Sequence, residues 1–126
     1  MLRIVLVTPR PAALRSFSEA LASNPEVRLK HENSAAGALE AVRTDAPHLV
    51  IIDSDLPDAA PLEFVQRLLM VNALVNTAVV SPLADAEFHE ATEGLGVLGR
   101  LQEVPDQSDA AALLQKLRVI LGEMAP

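Results

Sequence analysis

The fold is decided by the stretch His48-Leu49-Val50-Ile51-Ile52-Asp53-Ser54-Asp55-Leu56-Pro57. Four consecutive aliphatic residues at 49–52 predict a short strand that is buried on both faces. The strand stops at Asp53, and Pro57 restrains the loop that follows. In an open parallel α/β sheet, ligands and chemistry are found at the carboxyl ends of the strands. We therefore expect Asp53 at the functional edge of the sheet; the alternative is a solvated acid that only ends a strand.

The rest of the chain alternates between strand-like and helix-like patterns. Short apolar or alternating runs predict strands at 3–8, 26–31, 49–52, 77–80 and 98–102. Between and after these runs, apolar residues recur at helical spacing and predict five helices. The first is expected from Ala12, and Met70 and Ile120 are expected among the core side chains. This alternation predicts one domain, residues 1–126, built as a doubly wound five-stranded parallel sheet with helices on both faces.

The composition excludes several classes of protein. The 126 residues are half apolar, as expected for a globular fold, and their formal net charge is −7. An acidic chain with few, scattered basic residues lacks the positive patch that nucleic acid requires. There is no cysteine, so neither a disulfide framework nor a thiolate metal site can form. No apolar run approaches the roughly 20 residues of a membrane span, so we expect a soluble cytoplasmic protein without a membrane partner.

Polar side chains lie at the carboxyl ends of three of the predicted strands: Thr8, Asp53 and Ser81. A nucleotide-binding version of this architecture places glycines after the first strand, because backbone amides must approach the phosphates. Here Pro9 and Pro11 occupy that loop. The sequence therefore excludes a glycine-rich phosphate cradle.

The arrangement resembles the receiver domain of bacterial two-component response regulators (CheY-like), a flavodoxin-like fold. The resemblance spans residues 3–121 and is most specific at 49–57: a buried strand, an aspartate, two variable residues, an apolar residue and a proline. It implies that Asp53 accepts a phosphoryl group from a histidine kinase and that the Ser81 hydroxyl contacts that group. The chemistry is reasonable, because a carboxylate is a competent nucleophile that can form an aspartyl phosphate.

The same resemblance implies a place in a phosphorelay. The partner would be a sensor histidine kinase or another signalling protein, and the output would be docking to a protein. The family's usual partner or dimer surface is formed by the fourth helix, the fifth strand and the fifth helix. A homodimer through that surface is therefore also an expectation.

Several site residues of receiver domains have no counterpart in this chain. The acidic pair that follows the first strand is replaced by Thr8 and Pro9. The lysine that follows the fifth strand is replaced by Glu103 or Val104, depending on the alignment, and Arg100 stands nearest to the aromatic switch residue. Because the metal and the lysine neutralise the transferring phosphoryl group, we expect weak or no Mg²⁺-dependent phosphorylation.

A displaced magnesium site is one way in which the chemistry could be retained. Mg²⁺ prefers carboxylate oxygens, and Asp53 with Asp55 is the candidate pair, with Asp85 as a further donor. A different arrangement is suggested by Arg10, just past the first strand. We hypothesise that Arg10 pairs with Asp53, replaces the metal and locks one conformation. The alternative is an arginine that points to solvent.

Three functions are consistent with the sequence. The leading interpretation is a receiver domain with Asp53 as the phosphoacceptor, and a close variant is a pseudo-receiver that binds partners without phosphorylation. The third is a phosphatase of the haloacid-dehalogenase type, in which Asp53 would be the nucleophile and Asp55 the general acid of a D-x-D motif. That family begins with this strand and places a lysine and further acids downstream. Here the motif follows the third strand, and the only downstream lysine is Lys116, inside the last helix. We therefore do not expect an enzyme.

Overall fold

A computed structural model describes residues 1–122 and contains one five-stranded parallel sheet. The strands are β1 (Leu2–Val7), β2 (Val27–Glu32), β3 (Leu49–Ile52), β4 (Asn76–Val80) and β5 (Val97–Leu101), in the spatial order β2-β1-β3-β4-β5. The helices are α1 (Arg15–Ala22), α2 (Ala35–Thr44), α3 (Pro61–Val71), α4 (Asp85–Ala91) and α5 (Gln107–Leu121). The predicted flavodoxin-like fold is confirmed. None of the helices in the described residues is long and apolar enough to span a membrane.

Two apolar layers hold the helices on the sheet. Alternate residues of β1 point to opposite faces, so Ile4 and Leu6 pack in one layer and Val5 and Val7 in the other. The first layer is completed by side chains of α1 and α5, and the second by side chains of α2, α3 and α4. The central strand β3 contributes to both layers and is fully buried along its length. The sheet is therefore covered on both faces, as its apolar strands require.

The strand register brings the predicted site residues to one edge. The hydrogen-bond ladder continues beyond the strands, with Asp53 N–H donating to Val7 at 2.9 Å and Ser81 N–H donating to Leu101 at 3.0 Å. Because β1, β3 and β4 are neighbours in the sheet, the residues that follow them lie side by side. Thr8, Asp53 and Ser81 therefore share the carboxyl edge of the sheet.

Helix α2 begins at this edge with two side-chain caps. The Ser34 hydroxyl accepts from the backbone N–H of Gly37 at the start of α2. The same helix receives a second cap from outside, because the exposed Asp58 carboxylate accepts from the N–H groups of Ala35 and Ala36 at 2.8 and 3.0 Å. Asp58 lies in the loop after β3, so this loop is fastened to α2. Carboxylates are also favoured by the helix dipole at this end.

Three details differ from the sequence predictions. The first helix, expected from residue 12, begins as a 3₁₀ turn at Pro11–Leu14 before α1. Met70 is 88% exposed and Ile120 is 58% exposed, so neither is a core residue. Met70 follows the buried Leu68 by two residues, about 200° around the helix, and therefore points away from the sheet. In the last turn of α5, Leu121 and not Ile120 packs against the core.

Thr77 allows a test of how this core is packed. Its side chain is buried on β4, with 1% exposed, and its Oγ1 has no hydrogen-bond partner within residues 1–122. A buried hydroxyl without a partner costs free energy, whereas a methyl group of the same size does not. Thr77→Val is therefore expected to raise the free energy of unfolding by about 1 kcal/mol in urea titration.

Thr77→Ser is the control, because it keeps the hydroxyl and removes the methyl group. We expect Thr77→Ser to lower the free energy of unfolding. A loss of stability in Thr77→Val would instead mean that the hydroxyl is satisfied, for example by a buried water.

Candidate functional site

Asp53 directly follows β3 and is fully buried. Its Oδ1 accepts from Arg10 Nη2 at 2.8 Å and from the Ser54 backbone N–H at 2.7 Å. Its Oδ2 accepts from Arg10 Nε at 2.9 Å and from Thr8 Oγ1 at 2.6 Å. Arg10 therefore binds the carboxylate in a bidentate manner, the geometry that makes such pairs strong. The hypothesised Arg10–Asp53 pair is confirmed, and the alternative of an arginine that points to solvent is wrong.

Arg10 is itself held by neighbouring groups. The Thr8 hydroxyl accepts from the Arg10 backbone N–H at 3.0 Å, so Thr8 links the backbone of Arg10 to the carboxylate of Asp53. The guanidinium also donates from Nη2 to the backbone carbonyl of Glu103 at 2.8 Å. Arg10 thus joins the residues that follow β1, β3 and β5. About a third of its side chain, 34%, remains exposed.

The charges of the pair are stabilised by this geometry. Burial alone would raise the pKa of Asp53, but hydrogen bonds from Arg10, Thr8 and the Ser54 backbone outweigh burial and lower it. The hydrogen bond with Asp53 raises the pKa of Arg10 against the opposing effect of burial, and the nearby carboxylates of Glu103 and Asp55 raise it further. Asp53 is therefore ionised, with its counter-charge supplied by the chain.

Ser81 reaches the same edge, but its hydroxyl is bonded elsewhere. Its side chain is almost buried, and Oγ accepts from the Leu83 backbone N–H at 3.2 Å. No hydrogen bond joins Ser81 to Asp53 in the described part of the chain. The backbone carbonyl of Ser81 accepts from Arg100 Nη1 at 2.9 Å, and Arg100 Nε donates to Asp85 at 2.8 Å. Asp53 and Ser81, the two predicted phosphoryl-site residues, thus lie at the same edge but have different hydrogen-bond partners.

The predicted magnesium ligands do not fit a divalent cation as they are arranged. Both oxygens of Asp53 bind the Arg10 guanidinium, and the Asp85 carboxylate pairs with Arg100. Asp55 is exposed, and within residues 1–122 no three His, Cys, Asp or Glu side chains are grouped so that they could hold a metal ion. A hard cation needs several converging oxygens, and here a guanidinium already occupies the central carboxylate.

The same hydrogen bonds restrict Asp53 as a nucleophile. An ionised carboxylate has about four lone-pair positions, and four donors between 2.6 and 2.9 Å from its oxygens use them. Attack on phosphorus would require one oxygen to leave its donors. The lowered pKa of Asp53 also makes the carboxylate a weaker nucleophile. The arrangement is suited to holding a fixed ion pair.

Three contacts at this edge were missed in the sequence. Thr8 was treated as a lost acid, yet its hydroxyl bonds to Asp53. The Glu103 carbonyl gave no signal, because every residue carries a carbonyl and only the fold shows which one Arg10 meets. Asp58 gave no signal either, because a carboxylate in a loop does not show from the sequence which helix it meets, and the structure has it capping α2. For Thr8, the available signal was a hydroxyl two residues before Arg10 at a strand end.

Comparison with known proteins supports the fold. No family model matches the sequence, and no curated protein matches it. Among solved structures, a CheY-like response regulator receiver domain protein from Methanospirillum hungatei has 20% identity and a TM-score of 0.79, over 98% of this chain and 95% of that chain. The chemotaxis response regulator CheY4 of Vibrio cholerae has 16% identity and a TM-score of 0.81, over 93% of this chain and 98% of that chain.

A third structure is the N-terminal domain of an uncharacterized protein from Wolinella succinogenes. It has 19% identity and a TM-score of 0.81, over 98% of this chain and of that chain. These likenesses confirm that the chain has the fold of CheY-like receiver domains over nearly its full length. At such low identities they establish the fold alone, so the function must be argued from the site.

Removal of Arg10 tests how much the Arg10–Asp53 pair contributes to the free energy of unfolding. Arg10→Ala would leave the buried Asp53 charge with only the donors from Thr8 and Ser54. We expect the free energy of unfolding at pH 7 to fall by about 2–3 kcal/mol, less than for a fully buried pair because Arg10 is partly exposed. Urea titration would measure the loss.

Two further variants separate the loss of the Arg10–Asp53 pair from the general effect of removing an arginine side chain. Arg43→Ala breaks an exposed pair with Glu40 and should cost less than about 0.5 kcal/mol. Arg10→Ala combined with Asp53→Asn should cost less than the sum of the single changes, because the unpaired charge is removed with its partner. Additive losses would contradict the coupling of Arg10 to Asp53.

Stability should also depend on pH through Asp53. Its folded pKa is lowered, so the unfolded state takes up the proton first as pH falls through the ordinary value near 3.9. The contribution of Asp53 is therefore complete above about pH 5 and is lost as pH falls through the folded pKa. Urea midpoints of the protein and of Asp53→Asn should differ at pH 7 and approach one another as the pH falls below about 4. A difference that is independent of pH would argue against an ionised Asp53.

Proposed function

We propose that this chain is a receiver-type signalling domain that acts by docking to another protein and does not require phosphorylation of Asp53. The observation that carries the proposal is the bidentate Arg10–Asp53 pair. In this arrangement a side chain of the domain itself supplies the positive charge next to the aspartate. The receiver fold supports a role in signalling, and the fixed pair favours the variant that is independent of phosphate.

The geometry gives less support to the two other functions. A working phosphoacceptor would need Asp53 to exchange the Arg10 guanidinium for a metal and a phosphoryl group, and the lysine that helps to neutralise such a group has no counterpart. A D-x-D phosphatase would need Asp53 free for attack and Asp55 directed at the leaving group. Asp55 is instead exposed, and Asp53 is fully engaged. We therefore propose a binding module without catalytic activity.

The partner in this proposal is another signalling protein, and the contact surface includes α4, β5 and α5. The ion pair at the carboxyl edge would hold the loops after β1, β3 and β5 in one arrangement without phosphate. A partner would then recognise this surface with no need for a population shift driven by phosphate.

The direct test is amide NMR of the full chain with millimolar Mg²⁺ and beryllofluoride. Beryllofluoride stands in for a phosphoryl group on an aspartate. We expect no saturable shift at Asp53, Ser81 or β5, because Arg10 already occupies both carboxylate oxygens. The same titration on Asp53→Asn should look identical. An acetyl phosphate titration with intact-mass measurement would report any covalent aspartyl phosphate.

The opposite result would contradict the proposal. Saturable shifts around Asp53 and Ser81 that disappear in Asp53→Asn would show a working phosphoacceptor with a rearranged metal site. The proposed independence from phosphate would then be wrong, and a search for a histidine kinase would follow.

A further inference from the structure

A second arginine, Arg100, connects three elements on the side of the sheet near α4. It lies in β5, and its side chain is mostly buried, with 26% exposed. Nη1 donates to the backbone carbonyl of Ser81, at the end of β4, at 2.9 Å. Nε donates to the Asp85 carboxylate, in the first turn of α4, at 2.8 Å. One planar guanidinium thus holds both ends of the segment that leads from β4 to α4.

Helix α4 has few other attachments. It is only seven residues long, and Phe88 is its one buried residue. Its N-cap residue, Ala84, provides no side-chain hydrogen bond. Gly94 and Gly96 follow within five residues of its last residue, Ala91, and both are in the left-handed region, with φ of 82° and 65°. A short helix with little buried apolar surface belongs to the parts of a protein that open most readily.

We propose that Arg100 is a positioning residue, an ionic latch whose two hydrogen bonds to Ser81 and Asp85 control how often α4 opens from the sheet. On one side of the carboxyl edge, Arg100 bonds to Ser81 and Asp85. On the other side, Arg10 bonds to the backbone carbonyl of Glu103, three residues after Arg100. The latch does not depend on whether Asp53 is phosphorylated. Loss of the guanidinium would free the Ser81 carbonyl and the first turn of α4 together.

The latch should respond to salt because its two ends differ in exposure. Asp85 is 89% exposed, so dissolved ions can screen its charge. The bond from Arg100 to the Ser81 carbonyl lies in a part-buried position and is screened less. Raised ionic strength should therefore loosen the α4 end first.

Amide hydrogen exchange on the full chain can test this latch. The reporters are the N–H groups of Phe88 and Thr92, which bond to Ala84 and Phe88 within and at the end of α4. In Arg100→Gln these amides should exchange about tenfold faster, because two hydrogen bonds from a charged donor are lost. Arg67→Gln, which breaks an exposed i,i+4 pair with Glu63 in α3, is the matched control and should leave the α4 amides unchanged.

Salt dependence and a second variant separate a latch from a general loss of stability. Exchange of the α4 amides should rise with NaCl in the unchanged protein and much less in Arg100→Gln. Asp85→Asn, at an exposed position that cannot disturb the core, should speed the same amides about threefold. The proposal would be overturned by α4 exchange within twofold of the unchanged protein in both variants. Equal acceleration in α3 and α4, or identical salt dependence with and without Arg100, would also overturn it.

Discussion

The ion pair between Arg10 and Asp53 is the interaction on which the carboxyl edge of the sheet depends. A carboxylate that is fully buried must be paired or neutralised, and here the cation is a side chain from the loop beyond β1. Because the guanidinium also bonds to the Glu103 carbonyl, satisfying one buried charge fixes the relative positions of three loops. The other features of this edge, including the hydroxyl of Thr8, are arranged around that requirement.

Much of the fold could be predicted because apolar patterns report burial directly. The run at 49–52 predicted a strand buried on both faces, and its end at Asp53 predicted that this carboxylate lies at the sheet edge, where the structure has it. The Arg10 pair could be proposed from topology, since residues that follow neighbouring strands must meet. What could not be predicted depended on groups that carry no sequence signal. The acceptors of Arg10 and Arg100 include backbone carbonyls, which every residue carries. Ile120 is exposed because the core does not cover its side of the last turn of α5, and the sequence does not show how far the core extends.

The loops at this edge are connected in a chain of polar contacts. Asp58 fastens the loop after β3 to α2, Arg10 fastens the loop after β1 to Asp53 and Glu103, and Arg100 fastens β5 to Ser81 and α4. Every strand end from β1 to β5 except that of β2 is thereby tied to another by a charged side chain. Here the polar groups satisfy one another.

A counter-ion that is part of the chain cannot be diluted, chelated or exchanged. On the proposed function, the arrangement of the carboxyl edge is therefore set when each molecule folds and does not respond to the supply of metal or of phosphodonor. On the proposed function, the strength of the signal follows the number of molecules present. The signal would then rise and fall on the timescale of protein synthesis and degradation. Its level would be controlled by gene expression and proteolysis.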